Sequence, residues 1–494
     1  MNLNKTLQDS INTQMSTQKK IARPSDDPVV AIRSLRLRTN LSNVSQYYEK
    51  NVPDADNWLT LTETALSTVT SVLTNMRTQC VKGANGDITV DDREIILEKL
   101  KAYKTEVYST GDTDYAGRSI FTGYRTDMPL TITEPATDEI TIHQQMHNTE
   151  VEEFSYIETG DLLELNIGNY NSITTDEYGV SETKLHRIRL AYDSIDASKE
   201  VSIKVATGKD ADGNTTYTDV PCSVQKVSQA VTPNPYQVAK NNPDAAVFIP
   251  ETGEIIFGDD IYHDIMAYSA SDELLVSYTK TEWLAGELNP IHYFACESEG
   301  ISYNSDYMSD RVNNDDVRQI MEYDVGFNQR LRVNTTADEC FTHDIGRDID
   351  ELTNVVEELR GISEIVTRLE EMIDDPAYAT DLDVLNEKLA AAKKAQTYIN
   401  DKVQKGFEHA ISSMDSYLDQ FDLAITQVGS RSARLQLIEN RLMNQQTSFK
   451  ELVSDNDEAD ITELAMELAS SQMSYQAALM ATGKISQNTL LDFL

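Results

Sequence analysis

Residues 407–449 read FEHAISSMDSYLDQFDLAITQVGSRSARLQLIENRLMNQQTSF. Phe407, Met414, Phe421, Val428, Leu435, Leu442 and Phe449 recur every seven residues, and Ile411, Leu418 and Ile425 follow the first three of them by four. Apolar residues at that double spacing make one seam along a helix, the pattern of a coiled coil. At about 1.5 Å per residue the segment predicts a rod of roughly 63 Å, which is suited to lying along other rods.

The helical period extends to both sides of this segment. Upstream, Leu352, Val355, Leu359, Ile362, Val366, Leu369 and Ile373 step by three and four until Asp374-Asp375-Pro376 ends the run. Leu382, Leu385, Leu389, Ala392, Ile399 and Val403 then lead into Phe407. Downstream, Ile461, Leu464, Leu468, Tyr475, Leu479 and Thr482 form another stripe, and the chain ends on Leu490, Leu491, Phe493 and Leu494. An apolar end of this kind calls for burial by a neighbour.

The N-terminal part behaves the same way. Trp58, Leu61, Ala65, Val69, Val72, Met76 and Cys80 fall on one helical stripe. Gly83-Ala84-Asn85-Gly86 breaks it, and Ile96, Leu100, Tyr103 and Val107 resume it, which predicts an antiparallel helical hairpin. From about residue 129 the pattern changes to short alternating, β-branched segments: Leu130 to Thr133, Ile140 to His143, Arg187 to Tyr192, Val201 to Ala206, Glu254 to Phe257 and Glu273 to Tyr278. Asp212-Gly213-Asn214 and Pro233-Asn234-Pro235 supply turns between them.

The fold class expected is therefore α+β. A long antiparallel helical coiled-coil bundle is formed by the N- and C-terminal segments, with an antiparallel β-rich region inserted. We expect residues 1–45 with 455–494 to be terminal helices, 46–128 with 320–454 a helical bundle, and 129–319 one or two outer β domains. Such a pattern suits a polymerising or junction protein whose ends form an axial core. An intramolecular bundle leaves the same stripes.

Composition narrows the partners. Forty-two Lys and Arg against 82 Asp and Glu give a net charge of −40 in 494 residues, which repels nucleic acid and anionic membrane surfaces. No apolar run approaches the roughly 20 residues that span a bilayer, and the first residues lack an apolar signal core. Cys80, Cys222, Cys296 and Cys340 are far apart and lack zinc-ligand spacing, so buried free thiols are expected.

Catalytic signatures are missing. The chain contains no HExxH, GxSxG, P-loop or GxGxxG. His143 and His147 are four apart on a strand and its turn, which suits a surface position. Asp210-Ala211-Asp212-Gly213-Asn214 resembles part of a calcium loop but lacks the distal glutamate, so a hairpin turn is expected. Asp26 and Asp27 are adjacent on a turn and should diverge, either capping the following helix or bonding a neighbouring subunit. We expect no enzyme activity, no cofactor and no metal.

Several segments, in order, resemble the flagellar hook-associated protein 3 family, the junction proteins between hook and filament. They are Ala22-Arg23-Pro24-Ser25-Asp26-Asp27-Pro28-Val29, Leu35-Arg36-Leu37-Arg38, Trp58-Leu59-Thr60-Leu61-Thr62-Glu63-Thr64-Ala65-Leu66, Gly83-Ala84-Asn85-Gly86 and Tyr115-Ala116-Gly117-Arg118-Ser119-Ile120-Phe121-Thr122-Gly123. Lys484-Ile485-Ser486-Gln487 and Leu490-Leu491-Asp492-Phe493-Leu494 resemble the family's C-terminus. A weaker likeness runs from Val325 to Phe341, where Asn334 and Phe341 suit a strand returning to the helices. The resemblance covers about 1–125 and 407–494. Flagellins proper are the nearest alternative, but they usually carry D-D-A-A-G where this chain has Asp26-Asp27-Pro28. The expanded β middle and the longer helices between 345 and 405 depart from typical junction proteins.

The resemblance implies a structural subunit of the extracellular flagellum, exported by the type III route without a cleaved signal. Its implied partners are identical subunits in a ring, an adjoining hook-associated protein, flagellin, and an export chaperone on the C-terminal helix. It also implies terminal segments that are disordered in the monomer and helical when packed. The assembly residues expected are Pro24, Ser25, Asp26, Asp27, Pro28, Leu35, Leu37, Leu479, Ile485, Leu490, Leu491, Phe493 and Leu494. A secreted adhesin or glycan-binding protein that uses the β insert is the alternative from another class.

Overall fold

The computed structural model describes residues 2–209, 215–220, 223–230, 233–267, 273–304 and 319–487. The helices are α1 (Asn2–Thr17), α2 (Pro28–Gln46), α3 (Val52–Gly83), α4 (Val90–Thr110), α5 (Pro235–Asn241), α6 (Asp259–Ala267), α7 (Asp344–Asp374), α8 (Leu382–Asp457) and α9 (Ile461–Gln487). The strands are β1 (Asp114–Tyr115), β2 (Arg118–Ser119), β3 (Ile140–His147), β4 (Glu152–Glu158), β5 (Ser181–Arg189), β6 (Ser202–Lys209), β7 (Thr215–Asp219), β8 (Ser223–Lys226), β9 (Ala245–Ile249), β10 (Glu254–Phe257), β11 (Glu273–Lys280), β12 (Ala295–Ser298), β13 (Ile301–Tyr303), β14 (Glu322–Gly326) and β15 (Gln329–Arg332). The class is α+β, with helical ends and an inserted β region. The chain divides into two compact units: residues 1–57, 322–333 and 430–494, and residues 58–321 and 334–429.

In the larger unit, α3, α4, α7 and α8 form the helical part. Arg77 pairs with Asp415, and Gly83 lies against the Phe407 ring, so α3 runs antiparallel to α8. A Cβ at Gly83 would stand 2.4 Å from the Phe407 ring, so glycine is what permits this approach. Arg93 reaches Asn400, Lys104 pairs with Asp350 and Arg360 with Glu94, which place α4 along α8 and antiparallel to α7. The expected reversal between α3 and α4 is present, and Thr89 caps α4 in a capping box with Asp92. Lys393–Glu370, Lys402–Glu358 and Tyr417–Asp348 tie α7 and α8 together as an antiparallel hairpin. Asp375 caps the turn between them through the Ala377 N–H.

The sevenfold series is buried from Phe407 to Leu442, and Phe449 is half-buried. The second column of the seam differs from expectation. Ala410, Tyr417, Ala424 and Ile438, three residues after their series members, are buried, whereas Ile411, Leu418 and Ile425 are half-buried. Small side chains permit closer approach, and Tyr417 is held by its bond to Asp348. In α7 it is Met372 that completes the buried stripe, and Ile373 is half-buried.

Two sheets make up the insert. One has the order β4-β5-β10-β9-β8 and the other β13-β12-β3-β11-β6-β7. Pairing is antiparallel except between β8 and β9, which run parallel. Ile142, Ile203 and Val276 from one sheet meet Ile188, Phe248 and Phe257 from the other in a common core. Every residue of β9 is buried, because its other face, with Val247 and Ile249, is covered by α5 around Ala239.

Three local expectations need correction. Leu130 to Thr133 is not a strand: the Thr131 N–H and hydroxyl donate to Asp112, and only a bridge to Leu288 forms. Pro233-Asn234-Pro235 starts a helix, with the Asn234 side chain accepting from the Tyr236 N–H. The strand sought at Arg187 to Tyr192 is β5, which begins at Ser181 and ends at Arg189. Asp210 to Asn214 and Cys222 lie outside the described residues. Cys80, Cys296 and Cys340 are free and buried, and burial pushes the Cys80 and Cys296 thiols up to about 12.

In the smaller unit, α1 packs on α9, and Lys19 bridges Glu458. α2 lies along the end of α8, where Arg38 bonds Asp457 and Gln446 bonds Ser45 and Glu49. β14 and β15 form a hairpin. Phe327 meets Tyr47 edge-on at 5.6 Å, at a π-helical turn from Tyr47 to Asn51, and Asn51 donates to the Asp324 carbonyl. Asn334, fully buried in the larger unit, accepts from the Met321 N–H and donates to the Gln319 carbonyl.

Candidate assembly surface

Pro24 to Pro28 is a turn built on its two carboxylates. Asp26 accepts from the N–H groups of Ala22 and Arg23, at 3.2 and 2.7 Å. Asp27 turns the other way and caps α2, accepting from Val29 and Val30 at 2.9 and 3.1 Å with Pro28 at the start of the helix. The two carboxylates diverge and form no dyad. Pro24, Ser25 and Pro28 are exposed.

Beyond this cap, α2 leaves apolar surface open. Val29 is 75% exposed, Leu35 67% and Ile32 54%, while Leu37 is half-buried and Val44 is the fully covered residue of the helix. The packed edge of α2 is polar. Burial pushes the Asp457 carboxyl up, but hydrogen bonds from Asn456, Ser34 and Arg38 outweigh it and hold the group below its ordinary value.

α9 buries Leu464 and Ser471, and Leu468 and Tyr475 are half-buried. Ile461 and Leu479, expected on the buried stripe, are instead exposed, because α1 covers only one side of the helix. Met466, Met473 and Met480 form a second stripe, each more than 60% exposed. Sequence reasoning passed over these three, although their sevenfold spacing was readable. Ile485 falls within α9 and Leu490, Leu491, Phe493 and Leu494 lie outside the described residues. Exposed apolar rows on two helices, near both chain ends, are surface that a partner can cover.

His143 and His147 both lie in β3, where His143 bonds Ser277. Among the described residues no group of His, Cys, Asp and Glu is arranged to hold a metal ion, and no helix is long and apolar enough to cross a membrane.

Residues 1–126 match the bacterial flagellin N-terminal helical region. These residues are similar to a flagellin-type helical region. Flagellar hook-associated protein 3 of Escherichia coli (strain K12) is 33% identical over 115 residues, which are 23% of this chain and 36% of that protein. Its counterpart in Salmonella typhimurium (strain LT2) is 32% identical over 118 residues, 24% of this chain and 37% of that protein. The chain thus spans little more than a third of the curated relatives it matches. The solved flagellar hook associated protein-3 of Legionella pneumophila is 11% identical with a TM-score of 0.30, covering 85% of this chain and 97% of that one. The flagellin-type region takes in α1 to α4 and the β1–β2 hairpin, and within it lie the Asp27 cap and the exposed row on α2.

Proposed function

We propose that this chain is a structural subunit of the bacterial flagellum that joins hook to filament. The observation that carries this reading is the flagellin-type region at residues 1–126, together with its identity to proteins named flagellar hook-associated protein 3. The apolar rows left open on α2 and α9 supply surface for axial packing. In this reading residues 1–45 and 455–494 order fully only in the assembled tube. Residues 46–128 with 320–454 form the bundle, and 129–319 face outward. Ordering a free segment costs roughly 1 to 2 kcal/mol per residue, which burial against neighbours offsets.

The subunit makes a ring with copies of itself, between a hook-side protein and flagellin, and acts as a sleeve that fits two tubes of different flexibility. It performs no catalysis. It reaches the cell exterior by the flagellar export route, with a chaperone on its C-terminal helix. A filament subunit is the second reading, favoured by the flagellin-type match itself.

The test is an epitope inserted after Tyr178, which is 92% exposed, followed by gold labelling and electron microscopy of intact cells. Label confined to the hook–filament boundary supports the junction role. Label along the whole filament establishes the filament reading, and label over the cell body removes both in favour of an adhesin.

A further inference from the structure

In the larger unit the insert is fastened to the α7–α8 hairpin at two places. One is a buried cluster in which Arg187 pairs with Glu254 and Glu351, and Arg189 with Glu152 and Asp348. The other is the strap of residues 159–180, where Arg368 donates to the Leu165 carbonyl, Lys388 to the Thr175 carbonyl and Tyr170 to Asp381. Between these two fastenings the sheet stands off the helices and leaves a cavity of about 610 Å³, within the size range of small-molecule sites.

Its lining has one dominant sign. Carboxylates outnumber lysines and arginines nine to three. At the floor, four carboxylates share the two guanidiniums of Arg187 and Arg189. Lys402, the next cation in the lining, pairs with Glu358 at 2.9 Å and also acts on Glu351, and Arg347, outside the lining, is committed to the Thr252 carbonyl. Tyr236 and Tyr417 donate hydroxyls to Glu254 and Asp348, which satisfies hydrogen bonding but supplies no charge. Excess negative charge held out of water is costly unless a cation shares it. At the mouth, Glu357 and Asp401 are exposed and form no ion pair among the described residues. The walls between floor and mouth carry Tyr156, Leu352, Val355 and Tyr398, which suit an aliphatic stem.

We propose that this cavity binds an aliphatic polyammonium ion, with one ammonium near the floor carboxylates and another at Glu357 and Asp401. A compact metal ion fits less well, because no group among the described residues has metal-ligand geometry. Anionic ligands are repelled. The inference is independent of the flagellar reading.

The test uses the full chain and spermidine in isothermal titration calorimetry at two salt concentrations. The expected result is saturable binding that weakens with salt, and that becomes about five-fold weaker in Glu357→Gln/Asp401→Asn. A control pair on α9, Glu463→Gln/Glu467→Gln, removes the same charge elsewhere and should leave binding unchanged. Non-saturable uptake, equal weakening in both variants, or maltose or Mg²⁺ binding with the same dependence on Glu357 and Asp401 overturns the proposal.

Discussion

Replacing Arg187 by Met should cost the larger unit about 3 kcal/mol. The Arg187 side chain is 6% exposed and bonds Glu254 at 2.6 Å and Glu351 at 2.5 Å. Burial pushes the Glu351 carboxyl up, but Arg187 and Arg189 outweigh it and hold the group at about 2. A displacement of that size corresponds to roughly 3 kcal/mol for Glu351, reduced to about half by its partial exposure and by Arg189, which remains. Glu254, 7% exposed, loses the one guanidinium it has among the described residues and adds a similar amount. The assay is urea unfolding of the full chain followed by fluorescence, since Trp283 sits in the insert core and Trp58 in α3. Arg187→Met/Glu254→Gln/Glu351→Gln should recover most of the loss, because no carboxylate is then left uncompensated. A loss below about 1 kcal/mol, or one matched by Lys184→Met at the exposed Glu153 pair, would refute the reasoning.

Gly83→Ala should destabilise by about 1 to 3 kcal/mol in thermal unfolding, because its Cβ meets the Phe407 ring, and adding Phe407→Leu should recover part of it. Asp27→Ala removes the cap of α2 and should cost about 1 kcal/mol, seen as lost helicity by circular dichroism. His292 is buried and neutral, with Nε2 bonded to the Pro129 carbonyl, and burial lowers it to about 4. Its folded value lies below the ordinary 6.5, so the unfolded chain binds the proton first. His292 alone should therefore lower stability between pH 6.5 and 4 by up to about 1.4 kcal/mol per unit, and His292→Gln should remove that share of the slope, leaving the share of His343, which burial lowers to about 3.

The helical ends were legible because an apolar stripe at intervals of three and four has few other readings. Which neighbouring column closes the seam was not legible. Ile411, Leu418 and Ile425 are the more apolar choices, yet the fold buries Ala410, Tyr417 and Ala424, whose size and hydroxyl bond suit the adjoining helices. Arg187 and Arg189 fall in or beside a segment that the sequence marks as a strand, without marking what their charges meet. Ile188 between them faces the sandwich core, and alternation then aims both guanidiniums at α7, where carboxylates 159 and 164 residues away receive them. Such partners are invisible to local pattern. The exposed methionines of α9 were missed for a different reason: the stripe through Leu464, Leu468 and Tyr475 already supplied the helix with an apolar face, and Met466, Met473 and Met480 lie on another.

In the proposed junction role, the open apolar rows on α2 and α9 are the contacts with neighbouring subunits. The deciding measurement is electron microscopy of cells lacking this chain, complemented either with the natural protein or with Met466→Ser/Met473→Ser/Met480→Ser. The account predicts hooks without filaments, and filament protein shed into the medium, in the uncomplemented and the triple-variant cells. Intact filaments in the uncomplemented cells would contradict the junction role, and full rescue by the triple variant would remove the methionine row from the contact.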